Sequence, residues 1–169
     1  MGQEFSLIKP EEIDENTFKL IGQDWMLITA GTPEKFNTMT ASWGGFGVLW
    51  NKNVCFCVIR PQRYTYEFME KSDKFTLSFF DDNYRDALKL CGSKSGREID
   101  KVAAAGITPF KCSDEMVAFK EARLVLECRK LYFQDINPNN FIDPSIDKNY
   151  TAKDYHRMYV AEITKCLKR

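Results

Sequence analysis

The chain is poor in several things, and each shortage removes a class of protein. There is one histidine, His156, so no cluster of imidazoles can build a site. Neither sign of charge is in surplus: 24 Lys+Arg stand against 24 Asp+Glu. Nucleic acid or an anionic membrane calls for a basic excess, so neither is expected as the main partner. The apolar runs, such as residues 25–30 and 54–59, fall far short of the ~20 residues that span a bilayer. Residues 1–15 are polar and acidic, without the apolar core of a secretory signal. Cys55 and Cys57 form a Cys-x-Cys pair, but no second pair and no His lies at ligand spacing, so no metal site is expected. No Walker A sequence occurs. Gly44-Gly45-Phe46-Gly47 has neither the spacing nor the following helix of a dinucleotide fingerprint. No Ser or Cys comes with a recognisable base and no carboxylates are paired, which leaves a hydrolase without support.

What is present describes one ordinary globular unit. The 169 residues are 44% hydrophobic and 28% charged, a size and composition suited to a single domain over residues 1–169 with a sizeable core. Most of the six cysteines sit inside apolar runs, where free Cys acts as a small buried hydrophobe. With no secretion signal, they imply a reduced, cytoplasmic protein. Residues 1–6 formally fit the N-myristoylation pattern, but no polybasic segment or second lipid site accompanies them, so the match reads as coincidence.

Hydrophobic period and turn residues give the elements. Residues 10–20 read as an opening helix with Pro10 in its first turn. Residues 25–30, 36–43, 54–59, 75–80, 123–133 and 157–167 read as strands, the fifth with a bulge near Arg129 where its apolar positions change parity. Gly44-Gly45 reads as a break. Short helices are expected over 66–71, capped by Thr65, over 82–91, and over 98–105, closed by Gly106. Residues 137–153 form a polar excursion rich in Asn, Pro and Asp. Strands without βαβ alternation point to a mainly β fold, an antiparallel barrel with appended helices.

Three stretches carry candidate chemistry. In Arg60-Pro-Gln-Arg-Tyr-Thr65 two arginines precede a helix start, where free amides and the helix dipole favour phosphate. The alternative is two solvated arginines in a turn. In Cys91-Gly-Ser-Lys-Ser-Gly-Arg-Glu-Ile-Asp-Lys101, Arg97 and Lys101 lie four apart and are expected on one helix face, with Ser95 and Gly96 beside them. The alternative there is neutralisation by Glu98 or Asp100. In Asn37-Thr-Met-Thr-Ala-Ser-Trp43, small and hydroxylated residues leave room for a flat ligand, with Trp43 or Trp50 to cover it. The alternative is the polar face of an edge strand. His156 can donate a proton or hydrogen bond near neutrality, or serve only as a structural residue.

Taken together these stretches, with Phe18-Lys-Leu-Ile-Gly22, Trp25-Met-Leu-Ile-Thr-Ala-Gly31 and Glu121-Ala-Arg-Leu-Val-Leu-Glu-Cys128, resemble the flavin reductase-like family, most closely its flavoredoxin-type members. The resemblance covers nearly the whole chain and implies the FMN-binding split β-barrel, a Greek-key-like antiparallel fold. It implies a homodimer with FMN near the interface. Met39, Thr40, Ala41, Ser42 and Trp43 would line the flavin ring. Arg60, Arg63, Tyr64 and Thr65 would hold the phosphate and ribityl end, and Ser95, Gly96, Arg97 and Lys101 would complete that cradle. His156 would sit at the ring edge as the catalytic candidate. Ala161 departs from the Gly that many relatives carry. The implied activity is that of an FMN-dependent oxidoreductase, either a flavin reductase using NAD(P)H or an electron carrier. A flavin-binding or storage protein without NAD(P)H activity is the alternative.

Overall fold

The computed structural model describes residues 4–169, so Gly2 and the myristoylation pattern fall outside the described residues. Among these residues the strands are β1 (Ser6–Ile8), β2 (Met26–Thr32), β3 (Lys35–Ala41), β4 (Gly44–Leu49), β5 (Lys52–Ile59), β6 (Lys74–Phe79), β7 (Pro109–Lys111), β8 (Val117–Phe119), β9 (Leu124–Asp135) and β10 (Arg157–Lys168). The α-helical segments are α1 (Thr17–Lys19), α2 (Tyr64–Lys71), α3 (Arg85–Ser93) and α4 (Lys101–Ala105). One antiparallel sheet runs β3-β2-β6-β9-β10-β5-β4, with β1 added along β10, and β7 pairs separately with β8. The sheet does not close on itself, and its curl makes a split antiparallel barrel.

Strand sequence explains the layering. On β2, Met26, Ile28 and Ala30 enter the barrel core, while Leu27 joins a second apolar cluster with Leu88 and Cys91 of α3. A strand covered on both sides needs apolar residues at successive positions, which is why residues 25–30 read as a run. Cys55, Cys57, Cys128 and Cys166 are buried in the barrel core as free thiols, with the Cys55 and Cys128 sulfurs 3.5 Å apart. Burial pushes the Cys57 and Cys128 thiols well above their ordinary range. The methyl of Ala161 is fully enclosed, between Cys55 on one neighbouring strand and Lys130 on the other.

Two expectations change and a third is met. The opening helix over 10–20 is interrupted: a 3-10 turn at Pro10–Glu12 is followed by a fresh start at α1, because the Asn16 side chain accepts from the Lys19 amide and caps it. Gly44-Gly45 does not end the β structure but begins β4, hydrogen-bonded along β5. Gly44 is needed there, since at φ +154° a Cβ would lie 2.5 Å from the Phe56 carbonyl oxygen, and a Cβ on Gly45 would push aside the Phe56 ring that crosses it. The bulge expected near Arg129 is present in β9, at Leu131, where the register against β10 shifts between Val160 and Ala161.

Candidate functional site

The open end of β3 meets the C-terminal end of β5 and the start of β10. Met39, Thr40, Ala41, Ser42, Trp43, Val58, Arg60, Arg63 and His156 line a cavity of about 220 Å³ there. The same Thr40, Ala41 and Ser42 border a second cavity of about 430 Å³, walled by Trp25, Leu88, Lys89, Gly92 and Ser93. The Thr40 hydroxyl donates to the Leu88 carbonyl and ties β3 to α3.

Local chemistry fixes the surroundings of α2. The helix begins at Tyr64, not Tyr66, and Arg63 occupies the cap position without a side-chain cap bond. Thr65 is therefore not the cap: it is fully buried in the first turn, where its hydroxyl accepts from Asn37 Nδ2 at 2.7 Å. Asn37 also faces the Ser95–Arg97 loop so closely that a Cβ on Gly96 would come within 2.0 Å of its Oδ1. Only glycine allows this loop to lie on β3. The Ser95 hydroxyl accepts from the Arg97 amide and stabilises the turn.

The four candidate cations separate into two kinds. Arg60 donates to Asp154 at 2.6 Å and to the Asn149 carbonyl at 2.8 Å, and its guanidinium lies over the Tyr150 ring. Arg97 pairs with Glu67, donates to the Gln62 carbonyl and lies over the Tyr64 ring. Both are neutralised, the second by a carboxylate other than Glu98 or Asp100. Arg63 and Lys101 have no carboxylate partner among the described residues. Lys101 is 5% exposed and donates to two main-chain carbonyls, Thr38 O and Cys91 O, both at 2.9 Å. Arg63 reaches the same Cys91 carbonyl at 3.5 Å. Burial first, and then the charge of Arg63, lowers the Lys101 ammonium to about 8. Burial, with a contribution from Arg60, lowers Arg63 as well. A buried ammonium and a partly buried guanidinium that share one carbonyl, with no anion paired to either among the described residues, are electrostatically incomplete.

Arg97 and Lys101 do not share a helix face. The helix expected over 98–105 starts only at Lys101, capped by Asp100, whose carboxylate accepts from the Val102 and Ala103 amides. Arg97 lies in the preceding turn, and its side chain leads away to α2.

His156 is 8% exposed and packs at 5.1 Å between ring centroids against Trp43. Its Nδ1 lies 2.9 Å from the Tyr150 hydroxyl. Burial, then Arg60, lowers the imidazole to about 4, so it is neutral at pH 7. Tyr150 was not singled out by the sequence, nor was Asp154. Both belong to or adjoin the polar excursion, where the aromatic residues Phe141, Tyr150 and Tyr155 pack together and form its small core. An aromatic cluster inside a polar run, just before the only His, is the signal that would have found them. Val58 lines the cavity from the outer face of β5, opposite the core-facing Cys57 and Ile59.

Comparison with known proteins places this geometry. The family model described as a flavin reductase like domain matches residues 18–167. An FMN-binding domain of a flavin reductases-like enzyme from Shewanella baltica OS155 has a similar structure, with TM-score 0.72 and 17% identity, covering 99% of this chain and 78% of that one. Flavoredoxin from Methanosarcina acetivorans has TM-score 0.67 and 21% identity, covering 96% and 76%. Flavoredoxin of Desulfovibrio vulgaris (Miyazaki F) has TM-score 0.68 and 18% identity, covering 96% and 77%. No curated protein matches. Identities at this level speak for the shared split barrel, and the family model, running from α1 to the end of β10, carries the assignment: the chain belongs to the flavin reductase-like domain family.

Proposed function

We propose that this chain is an FMN-dependent oxidoreductase, and the pair Arg63 and Lys101 is the observation that carries the reading. A phosphate dianion beside them would supply the missing countercharge. Arg63 lines the same cavity as Met39, Thr40, Ala41, Ser42 and Trp43, and Lys101, which lines a neighbouring cavity with Asn37, Thr38 and Gly96, is joined to Arg63 through the Cys91 carbonyl. The donor set therefore fits FMN: Arg63 and Lys101 for the phosphate, the end of β3 for the ring, Trp43 and His156 along its border. The flavin, when bound, supplies the electron and hydride chemistry. The chain's part is to bind and orient it, and its cations favour a negatively charged reduced form and so ease reduction.

An absorption spectrum tests the reading directly. Protein mixed with FMN and desalted is expected to stay yellow with one flavin per chain. A protein that remains colourless would defeat it and leave the barrel without a flavin role. Anaerobic addition of NADH, then NADPH, distinguishes a reductase, which bleaches, from an electron carrier or a storage protein, which does not.

The reading includes a homodimer. Phe56 is 40% exposed, Tyr132 43% and Trp50 54%, unusual for large apolar side chains. Phe56 and Tyr132 flank Val160 in one cross-strand row, and Trp50 packs edge-on against Tyr132. The residues 54–59, apolar on both faces, thus have a covered barrel side and an outer side on which Phe56 is exposed between the buried Val54 and Val58. A contiguous aromatic face of this kind marks an interaction surface, and a second copy would cover it. Light scattering should give twice the chain mass, and Phe56→Glu should return the monomer. A monomeric wild type at micromolar concentration would rule the dimer out.

A further inference from the structure

The cavity holds one titratable group whose hydrogen bond can be traced to its end. His156 Nδ1 and the Tyr150 hydroxyl lie 2.9 Å apart, and the distance alone leaves the direction of donation open. Tyr150 resolves it. Its side chain is 3% exposed, and its hydroxyl has no partner other than His156 among the described residues. A buried hydroxyl hydrogen needs an acceptor. If Nδ1 carried the imidazole proton, the hydroxyl would have to accept it and turn its own hydrogen to where no acceptor lies among the described residues, leaving that hydrogen stranded. The hydroxyl must therefore donate, Nδ1 must be the lone-pair nitrogen, and in a neutral imidazole the single N–H then sits on Nε2.

Neutrality follows from the surroundings. The charged groups facing the ring are Arg60, Arg63 and Asp154, and burial together with the two arginines outweighs the one carboxylate. Asp154 is in any case engaged by Arg60 and Gln62. The Tyr150 ring is itself held in place, with Tyr155 at 4.9 Å, Phe141 at 6.2 Å and the Arg60 guanidinium at 5.0 Å from its centroid. The hydroxyl is thus directed by a built cluster and not by a free side chain. Nε2 makes no hydrogen bond among the described residues, and the ring it belongs to lines the cavity beside Trp43 and Arg60.

We propose that Tyr150 is a positioning residue that fixes His156 as the Nε2–H tautomer, so that the cavity presents a neutral hydrogen-bond donor there. The site accordingly selects ligands that turn an acceptor atom, a carbonyl oxygen or an unprotonated ring nitrogen, toward His156, and it disfavours those that turn a donor. The oxidised flavin ring system carries acceptors of both kinds along one edge, so this ligand class deepens the flavin reading and rests on it. The tautomer does not.

Because His156 is the only histidine, long-range ¹H–¹⁵N correlation on uniformly labelled protein at pH 7 reads its tautomer without assignment by mutation. Flavin-free wild type is expected to give the single pattern of an Nε2–H imidazole. Tyr150→Phe, which keeps the ring and removes only the hydroxyl, should lose that single pattern and show both tautomers. An Nδ1–H or mixed pattern in wild type, or a pattern unchanged in Tyr150→Phe, would overturn the proposal. The wild-type spectrum decides it even if the variant does not fold. With FMN added and the protein yellow, the His156 Nε2–H proton should shift, and its failure to move would overturn the donor role. Protein that binds no FMN but keeps the Nε2–H pattern would instead defeat the flavin reading and leave the tautomer standing.

Discussion

Arg60 and Arg63 are three residues apart on one turn, yet the two sides of the cavity they border are built on opposite principles. On the Arg60 side the charges are paired within the chain: Arg60 has Asp154 Oδ2 and the Asn149 carbonyl, and neutral His156 has Tyr150 at Nδ1, while Asp154 Oδ1 and His156 Nε2 are left without a partner among the described residues. On the Arg63 side, Arg63 and Lys101 converge on the Cys91 carbonyl, and neither has a carboxylate partner among the described residues. A side whose charges are already paired can orient a ligand but gains little electrostatically by holding it. A side left short of an anion gains most when one arrives. Binding strength and ring placement are thereby assigned to different walls of one site.

The largest expected effect breaks the unsatisfied side. Arg63→Ala should weaken FMN by roughly 1.5–3 kcal/mol, the value of a charged hydrogen bond, and riboflavin far less. Calorimetric titration with both ligands measures it, and equal losses would put Arg63 away from the phosphate. Lys101→Met should also weaken FMN, with a signature in pH. In flavin-free protein the folded-state ammonium lies at about 8 against an ordinary 10.5. Between those values the unfolded chain holds a proton that the folded chain has released, so wild-type stability rises with pH relative to Lys101→Met. Chemical denaturation at several pH values tests this, and saturating FMN should flatten the difference. A slope of the opposite sign would mean that Lys101 gains a partner on folding.

Smaller effects sharpen the satisfied side. The His156 imidazole is lowered to about 4 from 6.5. As pH falls from 6.5 toward 4 the unfolded chain takes up a proton that the folded chain resists, so wild type should lose stability relative to His156→Asn. Above pH 7 the two should run parallel. A wild type that gains on acidification would place a charged imidazole in the native state. The smallest change is expected from Arg97→Ala. Its partner Glu67 is as exposed as Arg97 itself, so the pair is worth roughly 0.2–1 kcal/mol of stability, and FMN affinity should stay within error. A large loss of affinity would return Arg97 to the phosphate.

What could be read from the sequence was local. The runs at residues 25–30, 54–59 and 75–80 announced β2, β5 and β6 because burial on a strand leaves an unbroken apolar record. Two basic loops beside helix starts were visible, and both border the site. Which of their four cations stayed unneutralised was not visible, because Arg60 finds Asp154 across 94 residues and Arg97 finds Glu67 across 30. The strand β4 was hidden because its glycines, read as breaks, answer to Phe56 on the next strand. Tyr150 was hidden for a related reason: its neighbours in sequence are polar, and only folding of the excursion brings Phe141 and Tyr155 around it.

The thiols packed inside the barrel have one more use. Cys55, Cys57, Cys128 and Cys166 have no exposed surface, and burial holds the Cys57 and Cys128 sulfurs in their unreactive neutral form. Alkylating reagents attack the thiolate, so modification of these four must wait until the strands part. Counting alkylated sulfurs over time, with and without FMN, therefore turns the core into a clock for barrel opening. It times the opening at β5, β9 and β10, the strands that carry those four cysteines.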